Sequence, residues 1–332
     1  MSDTIQIHEN TKIYIMCPPR IASGGPELLH QLAYKLGERG FDVAMYYYPN
    51  NVAQPVSENY LKYNCKYVTE VEDREENLVI IPELYFYFAD QFKKIRKCAW
   101  WLSVDNLFKA IEAPKHYRMI RKLKIKWLHR AVTLNGKVRG KFNYHLAQSA
   151  YALDFLKQWK IDAIYLSDYL NADFLKSSRE VDLTAKKPQI LYNPLKGFRF
   201  TKKIMAAMPD ARWIPLQKLT PAQVGDLLKE SMVYIDFGHH PGKDRFPREA
   251  AIYKCCVITG KRGSAAFHED VPLPEQYKIA DRRSNIPEIV KLINSCLTDY
   301  NQHIGDFAAY REWIYKEERE FEKDITQIFV KA

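Results

Sequence analysis

The densest chemistry in the sequence lies in Asp236-Phe-Gly-His239-His240-Pro-Gly-Lys243-Asp244-Arg245-Phe-Pro-Arg248-Glu249-Ala-Ala. It follows an apolar run and opens a helical pattern, so it predicts a strand-to-helix loop. Three cations and two acids fall within the seven residues 243–249, and Pro247 suits a first helical turn. At a helix start such a set can hold phosphates and accept from sugar hydroxyls. Lys243, Asp244, Arg245, Arg248 and Glu249 are therefore candidate ligand-binding residues; the alternative is a solvated charged loop. His239 and His240 would point apart in an extended chain, so one metal site cannot easily use both, and no metal is expected.

A second basic loop, Thr259-Gly260-Lys261-Arg262-Gly263-Ser264, also follows a short apolar run. Gly260, Lys261 and Ser264 resemble a phosphate cradle in chemistry, but the G-x-x-x-x-G-K-[ST] spacing fails, which argues against P-loop hydrolysis. Two basic, helix-capping loops after adjacent strands point to a nucleotide diphosphate. No Asp-x-Asp occurs in the chain, so protein cations rather than a divalent metal would hold it. A third loop, Arg20 to Glu27, carries Gly24 and Gly25 ahead of a helix whose N-terminus favours an anion. It lacks G-x-G-x-x-G, and a plain tight turn is the competing reading. The candidate catalytic carboxylates are Glu27, at that helix start, and Asp105, after the Trp100-Trp101 strand, where it either faces a ligand or caps the next helix.

The elements that must position these residues alternate. Lys12–Cys17, Phe41–Tyr47, Asn77–Ile81, Lys97–Ser103, His145–Gln148 and Ala163–Leu166 read as short buried strands, with a helix from Glu27 through Gly37 completing a βαβ unit. After a polar stretch at 181–188, a second series of strands and helices runs from Gln189 to Leu297. Two such series predict an α/β protein of two doubly wound, Rossmann-like domains facing across a cleft: 1–182, 183–302, and C-terminal helices at 303–332 returning to the first domain. The tail from His303 to Val330 reads as an amphipathic helix pair.

With 332 residues, 47% of them hydrophobic, each domain has enough apolar residues for a core. No apolar run is long enough to span a bilayer, no signal peptide is legible, and six cysteines form no C-x-x-C pair, so a cytoplasmic location is expected. The net charge of +10 is carried wholly by residues 113–153, which hold ten Lys and Arg and no acid. Such a local field suits a polyanionic surface. If the segment from Lys115 to Ala131 is helical, Arg118, Lys122, Lys126 and Arg130 gather on one side and Trp127 on another, as in a helix docked on the inner face of an anionic membrane. An ordinary surface helix is the plainer alternative.

Taken together, the Gly24-Gly25-Pro26-Glu27 turn after the first strand and the Glu249-Ala250-Ala251-x-x-x-Cys255-Cys256-Val257-Ile258-Thr259 unit resemble the GT-B glycosyltransferases, most closely the large retaining branch that uses nucleotide-diphosphate sugars. Asp244 stands closer to Glu249 than that branch's first acid does. Of its Gly-Arg…Lys-Gly pattern, Tyr192-Asn193-Pro194-Leu195-Lys196-Gly197 keeps only Lys-Gly. The resemblance implies that Glu249 accepts from the ribose hydroxyls, that Lys196 reaches the diphosphate beside Asn193, and that the Gly24-Gly25 turn borders the donor or the acceptor. It implies a nucleotide-sugar donor as substrate, no further cofactor, and a glycan or lipid-linked acceptor, as in surface polysaccharide synthesis. Two other readings stay open: a nucleotide-sugar epimerase of the same fold, and a nucleic-acid-binding protein using the basic segment, with Trp100 and Trp101 stacking on bases.

Overall fold

A computed structural model describes residues 4–110 and 126–332. The chain divides into two compact units, Met1–Asp168 with Phe321–Ala332, and Tyr169–Glu320.

The first unit is built on β2 (Lys12–Cys17), β3 (Asp42–Tyr47), β4 (Tyr67–Val68), β5 (Leu78–Pro82), β6 (Arg96–Trp101), β7 (Tyr144–Ala147) and β8 (Ile164–Tyr165), preceded by β1 (Ile5–Ile7). The seven strands β2 to β8 lie in the order β4-β3-β2-β5-β6-β7-β8, all parallel. The described helices are α1 (Gly24–Glu38), α2 (Val104–Ala110), α3 (Lys126–Lys137) and α4 (Ala150–Gln158). Ile13, Ile15 and Leu78 through Ile81 are buried without alternation, as expected for central parallel strands. Trp100 and Trp101 are also wholly buried, their indole N–H groups donating to the Leu166 carbonyl and to His145 Nδ1, each at 3.2 Å. Neither ring is placed to stack on a base.

The second unit holds a four-stranded parallel sheet of β9 (Lys187–Tyr192), β10 (Arg212–Pro215), β11 (Ser231–Asp236) and β12 (Cys256–Thr259), in the order β10-β9-β11-β12. Its helices are α5 (Ala172–Ser178), α6 (Phe198–Ala207), α7 (Pro221–Glu230), α8 (Arg245–Ile252), α9 (Ile286–Thr298), α10 (Tyr300–His303) and most of α11 (Ala308–Ile328). Local chemistry sets these ends. At α7, Thr220 Oγ1 accepts from the Gln223 N–H, the Gln223 side chain accepts from the Thr220 N–H, and Pro221 opens the first turn.

The sequence places the domain boundary at 182/183, whereas the structure places residues 169–182 with the second unit. Leu170, Phe174 and Val181 join its core. The buried Lys186 ammonium then donates to the carbonyls of Leu228, Ser231 and Tyr253 at 2.8, 2.8 and 2.6 Å, which ties the segment down. The polar stretch is only a short exposed turn at Leu183–Ala185. The tail also differs from the expected helix pair: α10 and a 3-10 turn lead into one long helix, α11, and β13 (Phe329–Lys331) then pairs with β1. The chain thus ends in the first unit.

Candidate functional site

Because all four strands of the second sheet are parallel, the loops after β9, β11 and β12 leave from one edge. The chain passes from β9 to β10 on one side and returns to β11 on the other, so the strand order reverses between β9 and β11. A crevice at the carboxyl ends of such a reversal is where open α/β sheets take ligands. Lys196 lies on one side of it and residues 237–244 on the other.

The loops are stitched together. Gly197, at φ +62°, lies so close to the Phe237 carbonyl that a Cβ would come within 2.5 Å of its oxygen. His240 and Gly263 form a backbone bridge, Ser264 N–H donates to the His240 carbonyl at 2.9 Å, and Ser264 Oγ donates to the Gly242 carbonyl at 2.6 Å. Ser264 is fully buried in this role, so its hydroxyl joins two loops instead of facing a phosphate. Gly260 N–H donates to the Asp236 carbonyl at 2.9 Å, and Asn193 Oδ1 accepts from Leu195 N–H at 3.0 Å, shaping the turn before Lys196.

At the mouth of the crevice Lys196 forms an ion pair with Asp244. Behind them His240 is wholly buried, with Nδ1 3.3 Å from Asp244 Oδ2 and Nε2 3.4 Å from Asp236 Oδ1. Burial alone would raise the Asp236 carboxyl, but His240, Lys196 and the Gly238 N–H together hold it below the ordinary carboxylate range. Asp236, His240 and Asp244 bring one potential metal-ligand atom each within 4.8 Å of one another. The Lys196 ammonium already stands on Asp244.

The remaining cations divide by direction. Arg245 grips Glu249 through Nε at 3.0 Å and Nη2 at 2.9 Å, and Glu249 is 3% exposed. Lys243 and Arg248 turn inward: the Lys243 ammonium lies 2.8 Å from Glu317 Oε1 and Arg248 Nη1 donates to both Glu317 oxygens at 3.1 and 2.9 Å. Lys243 also sits 4.3 Å from the centre of the Trp313 ring. Both side chains are as buried as core residues, so the structure gives these two candidates a task inside the unit. Lys261 pairs with Glu275, and Arg262 with Asp281 at 2.7 Å; both keep partly exposed side chains.

In the first unit the strand order reverses between β2 and β5. Gly24 and Gly25 open α1 after β2, and the Tyr60 hydroxyl both donates to the Ser23 carbonyl and accepts from its N–H. Glu27 is buried and accepts from the Tyr63 hydroxyl at 3.2 Å. Asp105, in the first turn of α2, accepts from Arg130 Nη2 at 3.3 Å and from the Tyr151 hydroxyl at 3.0 Å. Arg130 packs over the Phe108 and Phe155 rings, so its charge is directed at Asp105 within the unit. Lys126 and Trp127 open α3, while Arg118 and Lys122 lie outside the described residues.

Three residues to which sequence reasoning gives no role at the site stand out. Glu83 follows β5 at the reversal, 2% exposed, accepts from the Leu102 N–H at 3.1 Å, and is pushed up to about 8 by burial. Its only sequence signal is an acid directly after an apolar strand. Asp236 and His240 are the others; their signal was the strand-ending acid and a histidine four residues on.

No family model and no curated protein sequence matches the chain. Solved structures do match it in shape. Anabaena Alr3699/HepE in complex with UDP and glucose superposes with a TM-score of 0.67 at 10% identity, covering 96% of this chain and 99% of that one. A sucrose-phosphate synthase from Thermosynechococcus elongatus gives 0.64 at 12% identity, over 96% and 98% of the two chains. An alpha-glucosyltransferase in complex with UDP and a 13-mer DNA gives 0.58 at 10% identity, over 94% and 99%. These proteins are GT-B glycosyltransferases, and a likeness running over nearly the whole of both chains gives this protein the GT-B fold.

Proposed function

We propose that this protein is a glycosyltransferase that takes its sugar from a nucleotide-diphosphate donor bound at the carboxyl edge of the second sheet. The observation that carries the reading is Lys196, placed where the strand order reverses and paired with an acid that a diphosphate would replace. Arg245, Lys261 and the exposed Arg262 edge supply further positive charge along the same loops. Glu249, oriented by Arg245, is the acceptor for the ribose hydroxyls. A leaving nucleotide diphosphate gains negative charge in the transition state, so preplaced cations lower the barrier, and we read the enzyme as metal-independent. UDP is bound in two of the three neighbouring structures named above, which makes UDP-sugars the first donors to try.

The acid-free segment is the acceptor-side element of this proposal, a dock on an anionic inner membrane face where a lipid-linked or growing glycan is presented. A nucleic-acid acceptor is the second reading, favoured by the DNA bound in the alpha-glucosyltransferase structure and by the same acid-free, basic segment; salt-sensitive binding to DNA with none to anionic vesicles would select it.

Calorimetric titration of UDP, ADP and GDP into the parent and Glu249→Ala tests the donor site. Losing a hydrogen-bonding partner of buried hydroxyls costs about 1–3 kcal/mol, so affinity should fall roughly 5- to 150-fold. A Glu249→Ala protein that binds nucleotide like the parent refutes the assignment.

A further inference from the structure

His240 has no part in the nucleotide reading, yet its surroundings are unusual. It is 0% exposed, and both ring nitrogens face carboxylates without a well-aligned hydrogen bond to either. The charged groups facing it are Asp236 from the end of β11, Asp244 ahead of α8, and Lys196 from the loop after β9. The loop after β12 meets it through the main chain: the Arg262 carbonyl accepts from its N–H and Ser264 N–H donates to its carbonyl. Asp236 is further held by the Gly238 N–H at 2.9 Å and the Tyr234 hydroxyl at 3.0 Å.

Two carboxylates and one ammonium leave this buried group one positive charge short. A neutral imidazole has one N–H for two acceptors, whereas an imidazolium has one for each. We propose that His240, as an imidazolium, is the positioning residue of the nucleotide site, holding the buried Asp236 and the half-buried Asp244 together so that Lys196 can pass from Asp244 to a diphosphate without leaving the two carboxylates with no cation between them. This rests on the donor-site reading above.

Burial opposes the charge, but Asp236 and then Asp244 outweigh it and hold the imidazole above its ordinary value, against the Lys196 ammonium. Moving Lys196 onto a diphosphate removes that opposition and brings negative charge closer, so the bound state holds the His240 proton more tightly. Linkage then fixes the sign: binding takes up a proton, and affinity falls as pH rises between the free and bound values, by at most about tenfold per pH unit.

The test is calorimetric titration of UDP into the full chain at pH 7, 8 and 9, where the nucleotide's phosphates are ionised, in two buffers of different ionisation enthalpy. The parent should take up protons and lose affinity across the range. His240→Gln should bind about 10-fold more weakly at pH 7, a loss in the range of one charge-assisted hydrogen bond, and show no pH dependence. A parent that binds UDP with flat affinity and no proton uptake overturns the proposal while sparing the donor site. So does a His240→Gln protein that keeps the parent's slope. If the variant does not fold, the parent's proton uptake alone decides. A requirement for a divalent cation in the parent, lost in His240→Gln, also overturns it, since the imidazole is then a neutral ligand. A parent that binds neither UDP, ADP nor GDP refutes the donor site itself.

Discussion

Glu83→Gln should make the protein more stable, and increasingly so as the pH rises. The carboxyl is sealed at the end of β5, where burial pushes it from its ordinary 4.5 to about 8 despite hydrogen bonds from the Leu102 and Ser103 N–H groups. Below pH 4.5 both folded and unfolded chains carry the proton, and the group is neutral to folding. Between 4.5 and 8 the unfolded chain ionises while the folded one keeps its proton, so stability is lost as pH rises. At about 1.4 kcal/mol per tenfold, the penalty is under about 1 kcal/mol at pH 5, about 3 at pH 7 and at most about 5 above pH 8. Glutamine keeps an oxygen for the Leu102 N–H and cannot ionise. Its melting temperature should therefore exceed the parent's by on the order of 5–10 °C at pH 7 and by only about 1–2 °C at pH 5. Thermal unfolding of both proteins at pH 5, 7 and 8 measures this. An equal difference at pH 5 and pH 8, or a less stable variant at pH 8, would show that Glu83 is ionised in the folded protein and refute the argument.

Glu317→Gln should cost about 3–5 kcal/mol, because it takes from the buried Lys243 and Arg248 the carboxylate that both of them pair with. Lys243→Met should cost less, since Arg248 and Glu317 then remain a neutral pair; denaturant titration giving the reverse order would contradict this. Gly263→Ala forces φ +65° on a residue whose Cβ would meet the His240 carbonyl oxygen at 1.9 Å. It should cost more than about 2 kcal/mol and abolish UDP binding, with far-UV circular dichroism unchanged. Reversing Lys122 and Lys126 to Glu should weaken partition onto anionic vesicles by at least about 30-fold, at roughly 1 kcal/mol for each lysine removed from the surface; sedimentation with unchanged binding would dismiss the membrane dock.

The alternation of apolar strands and helices was legible because parallel strands buried on both faces leave continuous runs such as Lys12–Cys17, Leu78–Pro82 and Ser231–Asp236, which polar turns separate cleanly. Short edge elements were not: β1 and β13 have three residues each, below any readable period, and their pairing joins positions over three hundred residues apart. The boundary at 168/169 was hidden for a different reason. Hydropathy reports exposure, and the exposed turn at Leu183–Ala185 lies inside the second unit, beyond α5 and the core residues Leu170 and Phe174.

At the site, spacing located the loops but not the direction of their side chains. Six consecutive residues from Lys243 to Arg248 carry three cations, and nothing in that string says that Arg245 grips Glu249 while Lys243 and Arg248 reach for Glu317, far along the chain. That division has a physical logic. A loop that must present cations to a mobile anion also needs an anchor, and Glu317 supplies it by pairing with both inward cations. Lys196 is paired with Asp244 without being buried, so a diphosphate can compete for it. Among the cations of this loop, burial thus marks a structural task, and the cations still open to exchange are the ones to assign to a ligand. The same distinction separates the two histidines, which the sequence could weigh only as a pair: His239 is exposed, whereas His240 is buried and meets two carboxylates, one before it and one after it in the chain. Its partners stand four residues away on either side, a separation at which only the folded loop, held by the backbone bridge to Gly263, brings carboxylate to ring.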